Sequence, residues 1–154
     1  MDINIREAKP EDWQILQTLN KELFVSEKNN DEDLFMDFPT SEEGIKYFKD
    51  IASQKGGIGY IAYMEGKPAG FILLNEKHFS YRRSKYIEVE SLGVDPEYRS
   101  KGVGRLLIEK AGEWAKKQNA SRLFVSVYWL NKLGINFYKK NGFYEIGIEM
   151  DKKL

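Results

Sequence analysis

Tyr86 to Leu107 reads YIEVESLGVDPEYRSKGVGRLL, and the fold turns on how this stretch is understood. It opens as a β alternation, Ile87, Val89 and Ser91 against Glu88, Glu90 and Leu92, and it closes on the apolar start of a helix at Val103, Leu106 and Leu107. Between them stand Gly93, an Asp95-Pro96 turn and a basic glycine loop, Arg99-Ser100-Lys101-Gly102-Val103-Gly104-Arg105. A loop at that place turns several unpaired backbone N–H groups and the positive end of a helix dipole toward one spot. The spot suits a phosphate, because Gly102 and Gly104 let the backbone approach an anion while Arg99, Lys101 and Arg105 add positive charge around it. The alternative is a basic turn that only starts a helix. Two familiar nucleotide loops do not fit, since the Gly-Lys-Ser/Thr ending of a P-loop is missing and Leu107 stands where the dinucleotide fingerprint needs its third glycine.

Upstream of the quoted stretch, Gly59 to Met64 and Ala69 to Leu74 read as two strands joined by the turn Glu65-Gly66-Lys67-Pro68. The second is continuously apolar, as a central strand should be. Ile3, Ile5 and Arg6 to Ala8 suggest an opening strand, and Pro10-Glu11-Asp12 announces a helix whose Trp13, Leu16, Leu19, Leu23 and Phe24 form one apolar stripe. From Ser26 to Glu43 the chain is acidic but keeps Leu34, Phe35, Met36 and Phe38, so it is either a solvated connection or a segment that docks beside a site and attracts a cation. Thr40-Ser41-Glu42-Glu43 offers a capping box for a second helix holding Ile45, Tyr47, Phe48 and Ile51.

Downstream, the helix runs to about Lys117, Leu123 to Tyr128 is an apolar strand, and Asn131 opens a helix that stops at Asn141-Gly142. Phe143 to Met150 then reads as a last strand. This order predicts an α/β fold with local parallel pairing behind an antiparallel hairpin.

With 154 residues the chain has the length of one domain, 1–154, able to bury a core without staples. It has no cysteine, which excludes a thiol nucleophile, a Cys-based zinc site and an iron–sulfur cluster. Its 24 Lys plus Arg balance 24 Asp plus Glu, so no global field favours nucleic acid or an anionic membrane. There is no membrane-length apolar run and no signal-peptide core, and the expected compartment is the cytoplasm. No metal site is expected. His78, the single histidine, reads as a surface residue.

Arg99-x-x-Gly102-x-Gly104, following Leu92-Gly93-Val94-Asp95-Pro96, resembles the acyl-CoA motif of the GCN5-related N-acetyltransferase (GNAT) superfamily. NKLGINFYKKNGF, with Asn131 seven residues before Tyr138, is similar to that family's closing motif. The two cover about residues 86 to 144, and locally the chain resembles diamine and polyamine acetyltransferases. The resemblance implies the GNAT fold, a mixed and mostly antiparallel sheet splayed between its fourth and fifth strands and flanked by four helices. It implies acetyl-CoA as cosubstrate, with its pyrophosphate on the amides of Arg99, Ser100, Lys101, Gly102, Val103, Gly104 and Arg105. Pantetheine would lie in the splay against the backbone of Leu92, Gly93 and Val94, with a strand bulge near Gly93. Asn131 would bond the pantetheine arm or a neighbouring backbone group, and Tyr138 would reach the sulfur.

Transfer to an amine makes its own demands. A primary amine with a pKa near ~10.4 is almost wholly protonated at neutral pH, yet only its lone pair attacks a thioester. Glu90 is the first candidate to take that proton, directly or through water, and Glu88 on the same strand face is the alternate. Tyr138, whose reference pKa of ~10 keeps its proton at neutral pH, is the candidate acid for the leaving thiolate. The expected activity is N-acetylation of a small cationic amine by direct attack. Acetylation of a protein N-terminus or lysine, and a non-catalytic acyl-CoA sensor, are the competing readings. Pairing into a homodimer is left open.

Overall fold

A computed structural model describes residues 2–154. Five strands form one sheet in the order β1 (Ile3–Glu7), β2 (Ile58–Met64), β3 (Lys67–Lys77), β4 (Tyr86–Val94) and β5 (Arg122–Phe124). The first four are antiparallel, while β4 and β5 are parallel. Four helices flank the sheet: α1 (Trp13–Glu27), α2 (Glu42–Ala52), α3 (Val103–Lys117) and α4 (Lys132–Lys140). The mixed sheet and the helix count agree with the sequence reading. No helix of the described residues is long and apolar enough to cross a membrane.

Each face of the sheet buries its own core. Tyr60, Ala62 and Met64 of β2, Ile72 and Leu74 of β3, and Ile87 and Val89 of β4 pack under Val103, Leu107, Ile108, Ala111 and Ala115 of α3. On the opposite face Ile61, Phe71 and Leu73 meet Leu16 and Leu19 of α1 and Phe48, Ile51 and Ala52 of α2. From Ala69 to Leu74 β3 is apolar without interruption because neighbouring residues feed opposite cores. The β2–β3 turn uses Glu65 and Gly66 at φ 53° and 77°, positive at both central positions, a geometry that matches the twist of the flanking strands.

Three expectations need correction. First, the box read at Thr40–Glu43 is a simple cap: Ser41 is the N-cap, its Oγ accepts from Gly44 N at 3.0 Å, and glycine rather than glutamate holds the third helical position. Gly44 is forced, since a β-carbon there would lie 1.9 Å from Phe38 O. Second, of the stretch Leu123 to Tyr128 only Leu123 and Phe124 pair as strand, which begins one residue earlier at Arg122. Third, Phe143 to Met150 is no strand: Ile146, Ile148 and Met150 keep the alternation but are more than half exposed, because the segment has no ladder partner among the described residues.

Candidate active site

β4 loses its neighbour halfway along. Tyr86, Ile87 and Glu88 pair with Arg122, Leu123 and Phe124, and there the ladder with β5 ends. On its other side β4 stays paired with β3 as far as Val94. From Val89 onward, then, one edge of β4 has no strand beside it, and Leu92, Gly93 and Val94 lie on that open stretch. This is the splay expected between the fourth and fifth strands.

The bulge falls at a different residue from the one expected. Leu73 faces Ser91 and Leu74 faces Val89, so Glu90 is the extra residue, while Gly93 stays paired with Phe71. A bulge shifts the side-chain alternation by one, which is why Ile87 and Val89 share the α3 core with Leu92 and Val94 rather than with Ser91. Gly93 answers to packing, because a β-carbon there would sit 2.6 Å from the Phe71 ring.

The bulge holds Glu90 among polar neighbours. Asn75 Nδ2 donates to Glu90 Oε2 at 2.6 Å. The hydroxyl of Tyr47, on α2, is buried beside the same carboxylate without forming a hydrogen bond of normal geometry. Although Glu90 keeps contact with solvent, crowding by protein atoms raises its pKa above the usual glutamate range. The Glu88 charge adds to that rise, while Tyr47 and Lys77 oppose it. Burial, reinforced by the Glu90 charge, drives the Tyr47 phenol far above the ordinary tyrosine range. Glu88 is otherwise engaged, 3.4 Å from Lys77 Nζ. Of the two glutamates Glu90 is the one without an ion pair among the described residues.

The glycine loop forms the second wall. Pro96–Tyr98 makes one 3-10 turn, Ser100 and Gly102 take positive φ (61° and 89°), and α3 starts at Val103. The first helical amide to find an acceptor is Leu106 N, on Gly102 O, so the N–H groups of Val103, Gly104 and Arg105 have no partner within the helix. Gly102 is needed for its conformation rather than for space, since nothing lies within 4 Å of a β-carbon built on it. Gly104 is needed for space: a β-carbon there would come within 2.9 Å of the Phe137 ring. Arg99 Nε bonds Val94 O at 3.1 Å, Lys101 lies over the Tyr98 ring, and Arg105 pairs with Glu109. All three cations remain exposed around the open amides.

The third wall is α4. Asn131 caps it, with Oδ1 accepting from Gly134 N at 2.8 Å. Tyr138 is wedged between Phe137 and Phe143, with ring centroids 5.1 and 5.3 Å away. Burial holds its phenol well above the ordinary tyrosine range, and the charge of Glu27 adds to that. The end of α1 and the acidic segment after it dock here: Asn131 Nδ2 donates to Glu27 Oε1 at 2.9 Å and Tyr128 Oη to Asp31 Oδ2 at 2.7 Å. His78 is exposed, just past the end of β3.

Sequence reasoning missed Tyr47, Asn75 and the particular place of Glu27. Asn75 left a trace, a polar residue closing the apolar run of β3, whereas Tyr47 looked like one more member of an apolar stripe. The concavities of about 220 and 430 Å³ around Tyr60 and Glu113, and around Asn4 and Glu65, include none of these residues.

Comparison with known proteins bears on the whole chain. A profile described as Acetyltransferase (GNAT) family matches residues 15–143. An uncharacterized N-acetyltransferase of Methanocaldococcus jannaschii is 34% identical over 100 residues, a match covering 64% of this chain but only 44% of that protein. The thialysine N-epsilon-acetyltransferase of Bos taurus is 30% identical over 146 residues, covering 91% of this chain and 83% of that one. Among solved structures, an aminoglycoside N-acetyltransferase in complex with CoA superposes with a TM-score of 0.78 over 99% of this chain and 95% of that one, at 17% identity.

Proposed function

The chain belongs to the GNAT acetyltransferase family, and on that premise we propose that it moves an acetyl group from acetyl-CoA to a small cationic amine by direct attack. The observation that carries this reading is the pairing of an open β4 edge with unpartnered amides at the mouth of α3. An extended amide-bearing arm can add to a free strand edge, and a diphosphate suits a helix start ringed by Arg99, Lys101 and Arg105. The backbone of Leu92, Gly93 and Val94 would hold the arm, and the amides from Arg99 through Ser100, Lys101, Gly102, Val103 and Gly104 to Arg105 the diphosphate. The thioester supplies an activated acyl group.

The chain's own residues would then manage two protons. Glu90, with its raised pKa and its Asn75 partner, takes a proton from the acceptor's ammonium so that the neutral amine attacks. A carboxylate of raised pKa is a better base than an ordinary glutamate. Tyr138, held protonated by burial, gives its proton to the departing thiolate. No acyl-enzyme is needed, and the chain has no cysteine to form a thioester of its own.

The acceptor class is supported by Asp31, Glu32 and Asp33, whose segment docks on the loop before α4. The bovine relative is named for acetylating the ε-nitrogen of thialysine, itself an amine. A panel of diamines, polyamines and basic amino compounds, assayed for amine-dependent CoA release, tests the proposal. Reversing the charge at Asp31, Glu32 and Asp33 should raise the KM of the preferred amine; an unchanged KM removes the cationic-acceptor reading. A chain that binds acetyl-CoA by calorimetry but releases no CoA with any amine is a sensor, not an enzyme.

A further inference from the structure

Glu27 is the last residue of α1, far from α4 in sequence, yet its carboxylate joins the two. Oε1 accepts from Asn131 Nδ2 at 2.9 Å and Oε2 from Asn30 Nδ2 at 2.7 Å, both in partly buried surroundings. The Asn131 amide is thereby used from both ends, since its Oδ1 caps the first turn of α4 through Gly134 N. Gly134 leaves no slack, because a β-carbon there would fall 2.5 Å from Asn131 Nδ2.

α4 needs such a tie. None of its nine residues is buried, in contrast to α3, where six are. α4 meets the core through Phe137 and Tyr138, both only partly buried, with Phe137 against Gly104 and Tyr138 against Phe143. We propose that Glu27 is the positioning residue for Tyr138: by gripping the capping amide of Asn131 it fixes the start of α4 and so sets where the phenol stands. This rests on the reading of Tyr138 as the proton donor. The same carboxylate has a second effect, because its charge strengthens the hold of Tyr138 on its proton.

Three variants of the full chain separate the roles. Glu27→Gln keeps an oxygen for Asn131 and loses the charge, Glu27→Ala loses both, and Asn131→Ala removes the partner. Loss of a partly buried hydrogen bond to a charged group corresponds to roughly a five- to thirtyfold change. Hydrogen exchange of the amides of 132–140 should therefore speed up by about that factor in Glu27→Ala, while Glu27→Gln stays within about threefold of the parent. Amine-dependent kcat should fall about tenfold in Glu27→Ala with both KM values kept, should recover in Glu27→Gln, and Glu27→Ala should lower it no further when introduced into Asn131→Ala, where the partner is already gone. Unchanged exchange in Glu27→Ala overturns the proposal. So does a Glu27→Gln variant as slow as Glu27→Ala, or a rise in amine KM with kcat kept, which would make Glu27 an acceptor contact. If the parent turns over no amine, the acetyltransferase reading fails on its own, and the exchange comparison still decides whether Glu27 positions α4.

Discussion

The two halves of this sheet are held by different physics. From β1 to β4 every strand has a neighbour on its inner side, and the residues between them are buried on both faces. Beyond Glu88 the pattern dissolves: β5 has three residues, α4 buries none completely, and the segment after Phe143 lies exposed. This second half joins the core only through partly buried apolar residues, Leu123, Val125, Phe137, Tyr138 and Phe143, and adds polar ties, Glu27 with Asn131, Asp31 with Tyr128, Arg122 with Tyr144, and Lys139 with Glu145. The lesson is a division of labour. A site that must hold a long flexible cosubstrate gains from a strand edge that stays put and a facing wall that is less tightly packed.

The contrast can be broken first by stability. Leu107→Ala, at a position with no exposure under the sheet, should cost about 2–5 kcal/mol in denaturant or thermal unfolding. Leu133→Ala, at an 85% exposed position on α4, should stay within about 0.5 kcal/mol. Equal losses would end the distinction. The next largest effect concerns chemistry on the looser wall: Tyr138→Phe should lower kcat by roughly 100-fold, within the span of general acid catalysis, with acetyl-CoA affinity by calorimetry unchanged.

Gly102→Val, which forces a β-branched residue to a φ of 89°, should cost about 1–2 kcal/mol locally and weaken acetyl-CoA binding about tenfold. Parent-like affinity would separate the loop from the diphosphate. The smallest effect is in pH. Activity should fall on acidification through a limb above the ordinary glutamate pKa, and Glu90→Gln should abolish that limb. Stability moves the other way. Because the folded pKa of Glu90 exceeds the unfolded one, the folded chain binds that proton more tightly, so the contribution of Glu90 to stability rises as pH falls across the window between them. Asp12 behaves oppositely. Arg6 hydrogen-bonds it and lowers its pKa, so its contribution is present above the unfolded value and is lost as pH falls through the folded one.

Local pattern carried much of this. The hairpin, α3, the loop before it and the Asn131 cap are all set by residues a few positions apart, and each stands where the sequence puts it. The bulge also left a mark, since the apolar phase slips by one between Val89 and Leu92. What stayed hidden needed distant partners. Alternation at Ile146, Ile148 and Met150 describes a strand equally well with or without a ladder beside it. Glu27 and Asn131 are 104 positions apart, and nothing near either one announces the other.

The contact between Gly104 and Phe137 leaves a practical mark on anyone who would redesign this protein. Because an aromatic ring already fills the space of the missing methyl group, the two positions trade volume, and a library that enlarges residue 104 must shrink residue 137 in the same clone. Varied singly, either site will look intolerant; varied jointly, they should reveal sequences that neither scan would find.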